Sequence, residues 1–272
     1  MHSLQGQNVT VSYGTSTIID QLNIDIPRGK ITTIIGPNGC GKSTLLKSMA
    51  RIMKPDGGTI YLNGKEILKQ STKEIAKQMA ILPQTPSAPG GLTVYELVSY
   101  GRFPYQKGFG KLTARDREMI DWALEITGTI QFKHRSVDAL SGGQRQRVWI
   151  AMALAQETEL ILLDEPTTYL DLAHQLEILE ILYSLNRREH RTIVMVIHDL
   201  NHASRFADYI IAMRNGKILT SGNPNEVMTK EHLREVFHID AEIVQDPRLN
   251  KPICLTYDLI NQDEQKRIKL GV

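Results

Sequence analysis

The sequence predicts an α/β protein built on a mostly parallel, buried sheet. Three observations carry this reading. Short β-branched or apolar runs, at residues 31–35, 160–163 and 192–197, read as strands of a buried sheet. Helical patterns alternate with those runs, as a parallel sheet requires. Residues 93–156, about 60 in all, carry only helical patterns, so an all-helical insert interrupts the sheet.

The elements follow in order. Residues 8–13 and 22–26 alternate as half-buried strands do. The β-branched run at 31–35 stops at Gly36, and a helix is expected from Lys42 to about Ile52. Pro55-Asp56-Gly57-Gly58 is a turn, followed by strands at 59–62 and 79–82. Residues 83–91 hold three prolines and two glycines and read as a loop. Helices are expected at 93–100, 113–127, 141–156 and 172–188, and short strands at 210–213 and 217–219. From about Asp240 the tail, including Arg248 to Cys254, carries no clear pattern.

Composition narrows the function classes. The 272 residues are 41% hydrophobic and 23% charged, the balance of a folded globular chain long enough to bury a core without staples. Lys and Arg total 32 against 30 Asp and Glu, a formal charge of +2, which gives no support to a nucleic-acid surface. Cys40 and Cys254 are the only cysteines, so neither a disulfide framework nor a CxxC metal site is expected, and two free thiols fit a reducing compartment. No run approaches the ~18 apolar residues of a membrane span, and the N-terminus lacks the basic and apolar stretches of a secretory signal. A protein of this kind working at a membrane is expected to be brought there by another chain.

Gly36-Pro37-Asn38-Gly39-Cys40-Gly41-Lys42-Ser43 fits G-x-x-x-x-G-K-[ST], between an expected strand and an expected helix. Its glycines let backbone amides wrap a phosphate at a helix N-terminus. Lys42 can reach the β- and γ-phosphates and Ser43 can ligate Mg²⁺, while Cys40 is read as a small loop residue whose backbone binds. The strand at 160–163 ends in Asp164-Glu165-Pro166. Alone, two acids there read as a turn or helix cap; after a phosphate loop, Asp164 is expected to hold Mg²⁺ and Glu165 to orient or deprotonate an attacking water. Leu140-Ser141-Gly142-Gly143-Gln144 opens a helix, and on the residues alone a plain N-cap and a second anion site are both open.

Together these residues resemble the ATP-binding cassette (ABC) ATPases, over about residues 4–235. Residues 140–144 match that family's signature sequence. The order also matches: phosphate loop through Thr44, then Gln84, signature, Asp164-Glu165 and His198. The resemblance implies a phosphate-loop (RecA-like) ATPase core with a mostly parallel sheet, an N-terminal antiparallel β region and an all-helical insert. It divides the chain into a core at 1–86 and 157–240, a helical signature subdomain at 87–156 and a short tail at 241–272. It implies that Tyr13 stacks on adenine, which the motif order favours over a strand aromatic in the core. It makes Gln84 a sensor of Mg²⁺ and of the transmembrane partner, and Leu170-Asp171 a loop (the D-loop) crossing to a second copy. His198 becomes the γ-phosphate contact paired with a catalytic Glu165. Tyr169 is bulkier than the Ser often found there.

The mechanism implied is a head-to-tail, ATP-dependent homodimer. Lys42, Ser43, Asp164, Glu165 and His198 of one copy face Ser141, Gly142 and Gly143 of the other across ATP. Two permease subunits and an extracytoplasmic binding protein complete the assembly, at the cytoplasmic face of the membrane. Residues 98–105, Val-Ser-Tyr-Gly-Arg-Phe-Pro-Tyr, resemble the G-R-x-P-[HY] segment of ATPases importing ferric siderophores, haem and cobalamin, and 167–175 has the same flavour. Ferric siderophore import is the expectation, with cobalamin or haem import as the alternative. A soluble non-transport cassette and a regulator without turnover are the readings from other classes. The plain reading of 98–111 is a solvated loop kept soluble by Arg102, Lys107 and Lys111. Leu92, Val94 and Leu97 are candidates for an apolar permease-docking surface, or for core.

Overall fold

The structure, a computed structural model, describes residues 2–106, 111–168 and 170–260. Strands β1 (His2–Tyr13) and β2 (Ser16–Pro27) form a long hairpin. Val9 and Val11 on one strand and Leu22, Ile24 and Ile26 on the other are buried, on the alternation read from the sequence. Strand β3 (Ile31–Ile35) is buried along its whole length and feeds the phosphate loop into helix α1 (Lys42–Met49). That helix stops before the expected Ile52, because Arg51 turns left-handed with φ 59°. Strands β4 (Gly57–Leu62) and β5 (Lys65–Glu66) complete an antiparallel sheet in the order β2-β1-β4-β5. Helix α2 (Thr72–Ala76) then precedes strand β6 (Met79–Leu82).

The helical insert follows as α3 (Val94–Ser99), a 3₁₀ turn (Tyr100–Tyr105), α4 (Ala114–Ile126) and α5 (Gly142–Ala155). Each of the three α-helices starts with a capping box, Thr93 with Glu96, Thr113 with Asp116 and Ser141 with Gln144. Each box satisfies backbone donors that a helix N-terminus leaves open. The chain returns as β7 (Leu160–Asp164), α6 (Leu172–Glu189), β8 (Thr192–Val196) and α7 (Leu200–Phe206). It continues as β9 (Tyr209–Arg214), β10 (Lys217–Gly222), α8 (Pro224–Val227) and α9 (Lys230–Phe237).

The main sheet runs β10-β9-β3-β8-β7-β6, parallel throughout except for the antiparallel edge strand β10. Every residue of β3, β7 and β8 is buried, as strands covered on both faces must be. Because these three strands are parallel neighbours, their C-terminal ends open at one edge, where ligands of open α/β sheets bind.

Two regions differ from the sequence reading. Arg102 is no solvated loop residue: it is 2% exposed and bonds Asp116 Oδ1 (2.8 Å), the Ala155 carbonyl (2.8 Å) and Glu157 Oε2 (3.1 Å). Its guanidinium also lies 4.0 Å from the centre of the Tyr105 ring. The segment 101–105 is therefore a polar latch inside the insert. Val94 and Leu97 are fully buried, so they are core and not docking surface; Leu92 is half-buried. The tail left without a pattern holds a hairpin of β11 (Ile239–Gln245) and β12 (Pro252–Leu259). Asn201 pins it to α7 by bonding both the carbonyl and the amide of Cys254, at 3.1 and 2.8 Å.

Candidate functional site

The phosphate loop closes on glycine. Gly41 caps α1 at φ 103°, and a Cβ on Gly36 would lie 2.2 Å from the Met213 carbonyl, so no side chain fits there. Lys42 Nζ folds back onto the loop and donates to the carbonyls of Gly36 (2.8 Å) and Pro37 (3.0 Å). Tyr13, Asn38, Gly39, Gly41, Lys42, Ser43, Thr44 and Glu165 line one open cleft, together with Ile18, which the sequence did not single out. Tyr13 is half exposed at that cleft, so the core alternative for it does not hold. Cys40 is buried beside it, and burial pushes its thiol pKa up, which suits the inert role expected of it.

Strand β7 delivers the acids to the same place. Ser43 Oγ donates to Asp164 Oδ1 at 2.8 Å. Asp164 Oδ2 is buried and has no hydrogen-bond partner. Burial pushes the Asp164 carboxyl above its ordinary pKa, Ser43 offsets part of that, and the neighbouring Glu165 charge adds to it. A hydroxyl and a buried carboxylate with one unmet oxygen are hard-oxygen donors of the kind that a Mg²⁺ ion takes. The residues present thus fit that cation.

Glu165 is the most constrained residue of the site. Its backbone is left-handed at φ 54°, a conformation that a glutamate holds only when its surroundings enforce it. Three side chains do so. Gln84 Nε2 donates to Oε2 at 2.7 Å, Thr168 Oγ1 donates to the same oxygen at 3.0 Å, and His198 Nε2 lies 2.6 Å from Oε1. Burial raises the Glu165 pKa, but the bonds from His198, Thr168 and Gln84 outweigh it and hold the carboxyl below its ordinary value. His198 follows β8, and Gln84 follows β6, so one carboxylate gathers three segments of the sheet edge. Thr168 was missed in the sequence; only its place three residues after Glu165 could have flagged it.

The structure joins the phosphate loop, Gln84, Asp164, Glu165 and His198, while no signature residue lines the cleft. Ser141 Oγ and the Gln144 side chain are engaged in their own capping box. Leu140 is buried, whereas Ser141 and Gly142 are exposed. A Cβ on Gly142 would meet nothing within 4 Å, so no atom of the described residues demands glycine there. An open helix start of that kind suits an anion presented from outside the chain. Asp171 caps α6 by accepting from the His174 amide at 2.9 Å, next to Leu170. Tyr169 and Lys107 lie outside the described residues.

Comparison with known proteins gives consistent results. The profile of the ABC transporter family matches residues 19–168, more than half of the chain. The chain is 64% identical over 265 residues to the iron(3+)-hydroxamate import ATP-binding protein FhuC of Bacillus subtilis, covering 97% of this chain and 98% of that protein. A chain of a solved ABC transporter in an inward-facing conformation superposes with a TM-score of 0.80 at 29% identity, over 97% of this chain and 99% of that one. The dimeric post-hydrolysis state of an ATP-binding cassette with ADP and Pi bound superposes with a TM-score of 0.70 at 30% identity, over 81% and 98%.

Proposed function

The chain belongs to the ABC transporter family, as an ATP-binding and ATP-hydrolysing subunit, and from that premise we propose its transport role and the part each residue plays. The chain energises uptake of a ferric siderophore, of the iron(III)-hydroxamate class, through separate permease subunits. The 64% identity to a hydroxamate import subunit supports the cargo. The observation that carries turnover is the clamp on Glu165 by Gln84, Thr168 and His198 beside the phosphate loop.

Each side chain then has a task. The loop amides and Lys42 take the β- and γ-phosphates, after Lys42 gives up its bonds to Gly36 and Pro37. Tyr13 stacks on adenine, while Asn38, Gly39, Cys40 and Thr44 contribute backbone. Ser43 and Asp164, with Gln84 nearby, would hold Mg²⁺, which would supply charge neutralisation on the phosphates. Glu165, kept ionised by its clamp, accepts the proton of the attacking water, and His198 holds it in line and reaches the γ-phosphate. Ser141, Gly142 and Gly143 of a second copy close the site, so ATP bridges a head-to-tail dimer that hydrolysis opens. Gln84 carries the state of the site toward the permease, and the cassette rides at the cytoplasmic membrane face. Among the described residues no helix is long and apolar enough to cross a membrane, in keeping with that arrangement.

The test is uptake of radiolabelled ferric hydroxamates by cells lacking this chain, complemented with wild type or with Glu165→Gln. Restoration by the wild type alone is the expected result. Unimpaired uptake in the deletion strain refutes the cargo, and labelled cobalamin and haem then become the chelates to assay.

A further inference from the structure

Two stretches of this chain are expected to act on the nucleotide of a second copy: the signature turn 141–143 and the loop at 170–171. They belong to different elements, α5 and α6, and one side chain touches both. His174 Nδ1 lies 2.7 Å from Asp171 Oδ1. A carboxylate can only accept, so Nδ1 carries the proton. The opposite side of the ring abuts the signature: a Cβ on Gly143 would lie 2.9 Å from His174 Cδ2 and 3.2 Å from Cγ. Glycine at 143 is what lets the imidazole approach.

The surroundings brace the same junction. Gln175, the next residue, donates Nε2 to the Leu170 carbonyl at 2.9 Å. From the signature helix, Gln146 Nε2 donates to the Pro166 carbonyl at 2.9 Å, and Arg147 pairs with Glu177 at 2.8 Å. The α6 cap does not require the imidazole, since the His174 backbone amide already serves Asp171. Nor is His174 among the residues lining the nucleotide cleft of its own chain.

We propose that His174 is a positioning residue that sets the spacing between the signature turn and the Leu170-Asp171 loop, so that both reach the second copy's nucleotide together. The inference rests on the head-to-tail reading above. It predicts a selective defect. Nucleotide binding by the monomer is unchanged, while closure of the dimer and the chemistry that follows it suffer.

The test uses the full-length chain with three substitutions. His174→Asn keeps an N–H within reach of Asp171 and removes the ring from Gly143. His174→Phe keeps the ring and removes the donor. His174→Ala removes both. For His174→Ala, kcat is expected to fall about ten-fold, the effect of one lost charge-assisted hydrogen bond, with a reduced Hill coefficient. The Asn and Phe variants fall between Ala and wild type. Affinity of the monomer for a fluorescent ATP analogue stays within about two-fold in all three, which also reports that they fold. In a Glu165→Gln background, ATP-driven dimerisation by size exclusion weakens in the same order. Wild-type kcat and Hill coefficient in His174→Ala overturn the proposal. So does a parallel loss of monomer affinity, which would mean that His174 serves the fold. If Glu165→Gln with His174 intact forms no ATP-dependent dimer, the head-to-tail reading itself fails and the inference falls with it.

Discussion

Replacing Arg102 by methionine keeps an unbranched apolar stem and removes the guanidinium and its charge from inside the insert. The structure sets the size of the effect. The guanidinium loses bonds to Asp116, to the Ala155 carbonyl and to Glu157. Removing one partner of a buried ion pair costs about 3–5 kcal/mol, because a charge is left buried and unmatched. Here the acids keep some support. Asp116 still accepts from the Thr113 amide (2.9 Å) and hydroxyl (2.7 Å), and Glu157 still pairs with Arg115. The loss should therefore fall at the low end, about 3 kcal/mol. Asp116→Asn alone leaves Arg102 with Glu157 and Ala155 and should lose about 2 kcal/mol. The double variant should lose about 3 kcal/mol and not 5, a coupling of about 2 kcal/mol between residues in direct contact.

The assay is urea unfolding followed by tryptophan fluorescence. Both tryptophans of the chain, Trp122 and Trp149, lie in α4 and α5, so the signal reports on the insert that Arg102 latches. A loss of 3 kcal/mol corresponds to a midpoint lowered by about 1 M. Additive losses, or an Arg102→Met midpoint within about 0.2 M of wild type, would refute the latch.

Three further outcomes follow from the same geometry. Glu165→Gln should bind ATP normally, elute as an ATP-dependent dimer and lose about 10²–10⁴ in kcat, the share of a general base; normal turnover in a coupled phosphate assay removes Glu165 from that role. Lys42→Ala should weaken nucleotide binding about 10- to 100-fold in a fluorescence titration, by loss of a charge-assisted phosphate contact, and an unchanged Kd counts against the loop. The third concerns acid. Burial raises Asp116 and Glu157, but the bonds of Asp116 to Thr113 and Arg102, and of Glu157 to Arg115 and Arg102, hold both below their ordinary values. The unfolded chain thus binds more protons than the folded one below about pH 4–4.5, so their contribution is complete above that range and drains as pH falls through the lowered values. The stability difference between wild type and the Arg102→Met, Asp116→Asn double variant should be flat from about pH 7 to 5 and shrink below about 4; a difference that grows on acidification sinks this assignment.

What the sequence exposed, and what it hid, divides along physical lines. The parallel strands were legible because burial on both faces leaves 160–163 wholly apolar and 31–35 wholly β-branched, with no charged residue in either. The phosphate loop was legible because backbone wrapping restricts Gly36 and Gly41 to glycine. Helices α2 and α8 span only five and four residues, too few for an apolar periodicity to register. Strand β11 does alternate, with Ile239 and Ala241 in and Asp240 and Glu242 out, but β12 exposes Leu255, Tyr257 and Leu259, so its hydropathy does not predict which face is covered.

Arg102 was misread for a related reason. A charged residue in a Pro- and Gly-bearing segment has the composition of a surface loop, and its burial depends on Asp116 and Glu157, 14 and 55 residues away. The site shows the same limit. Asp164 and Glu165 were legible as acids after a strand, but the clamp that singles out Glu165 spans Gln84, Thr168 and His198, which only the parallel order of β6, β7 and β8 brings together. That order also sets the division of labour. Asp164 closes the strand with one oxygen on Ser43 and the other without a hydrogen-bond partner, whereas Glu165 turns left-handed out of the sheet with both oxygens engaged. Adjacent carboxylates that would repel in one environment are thus sent into two, and the pKa values move in opposite directions, Asp164 up and Glu165 down. A single change of backbone hand at residue 165 is what separates the acid bonded to Ser43 from the acid clamped by Gln84, Thr168 and His198.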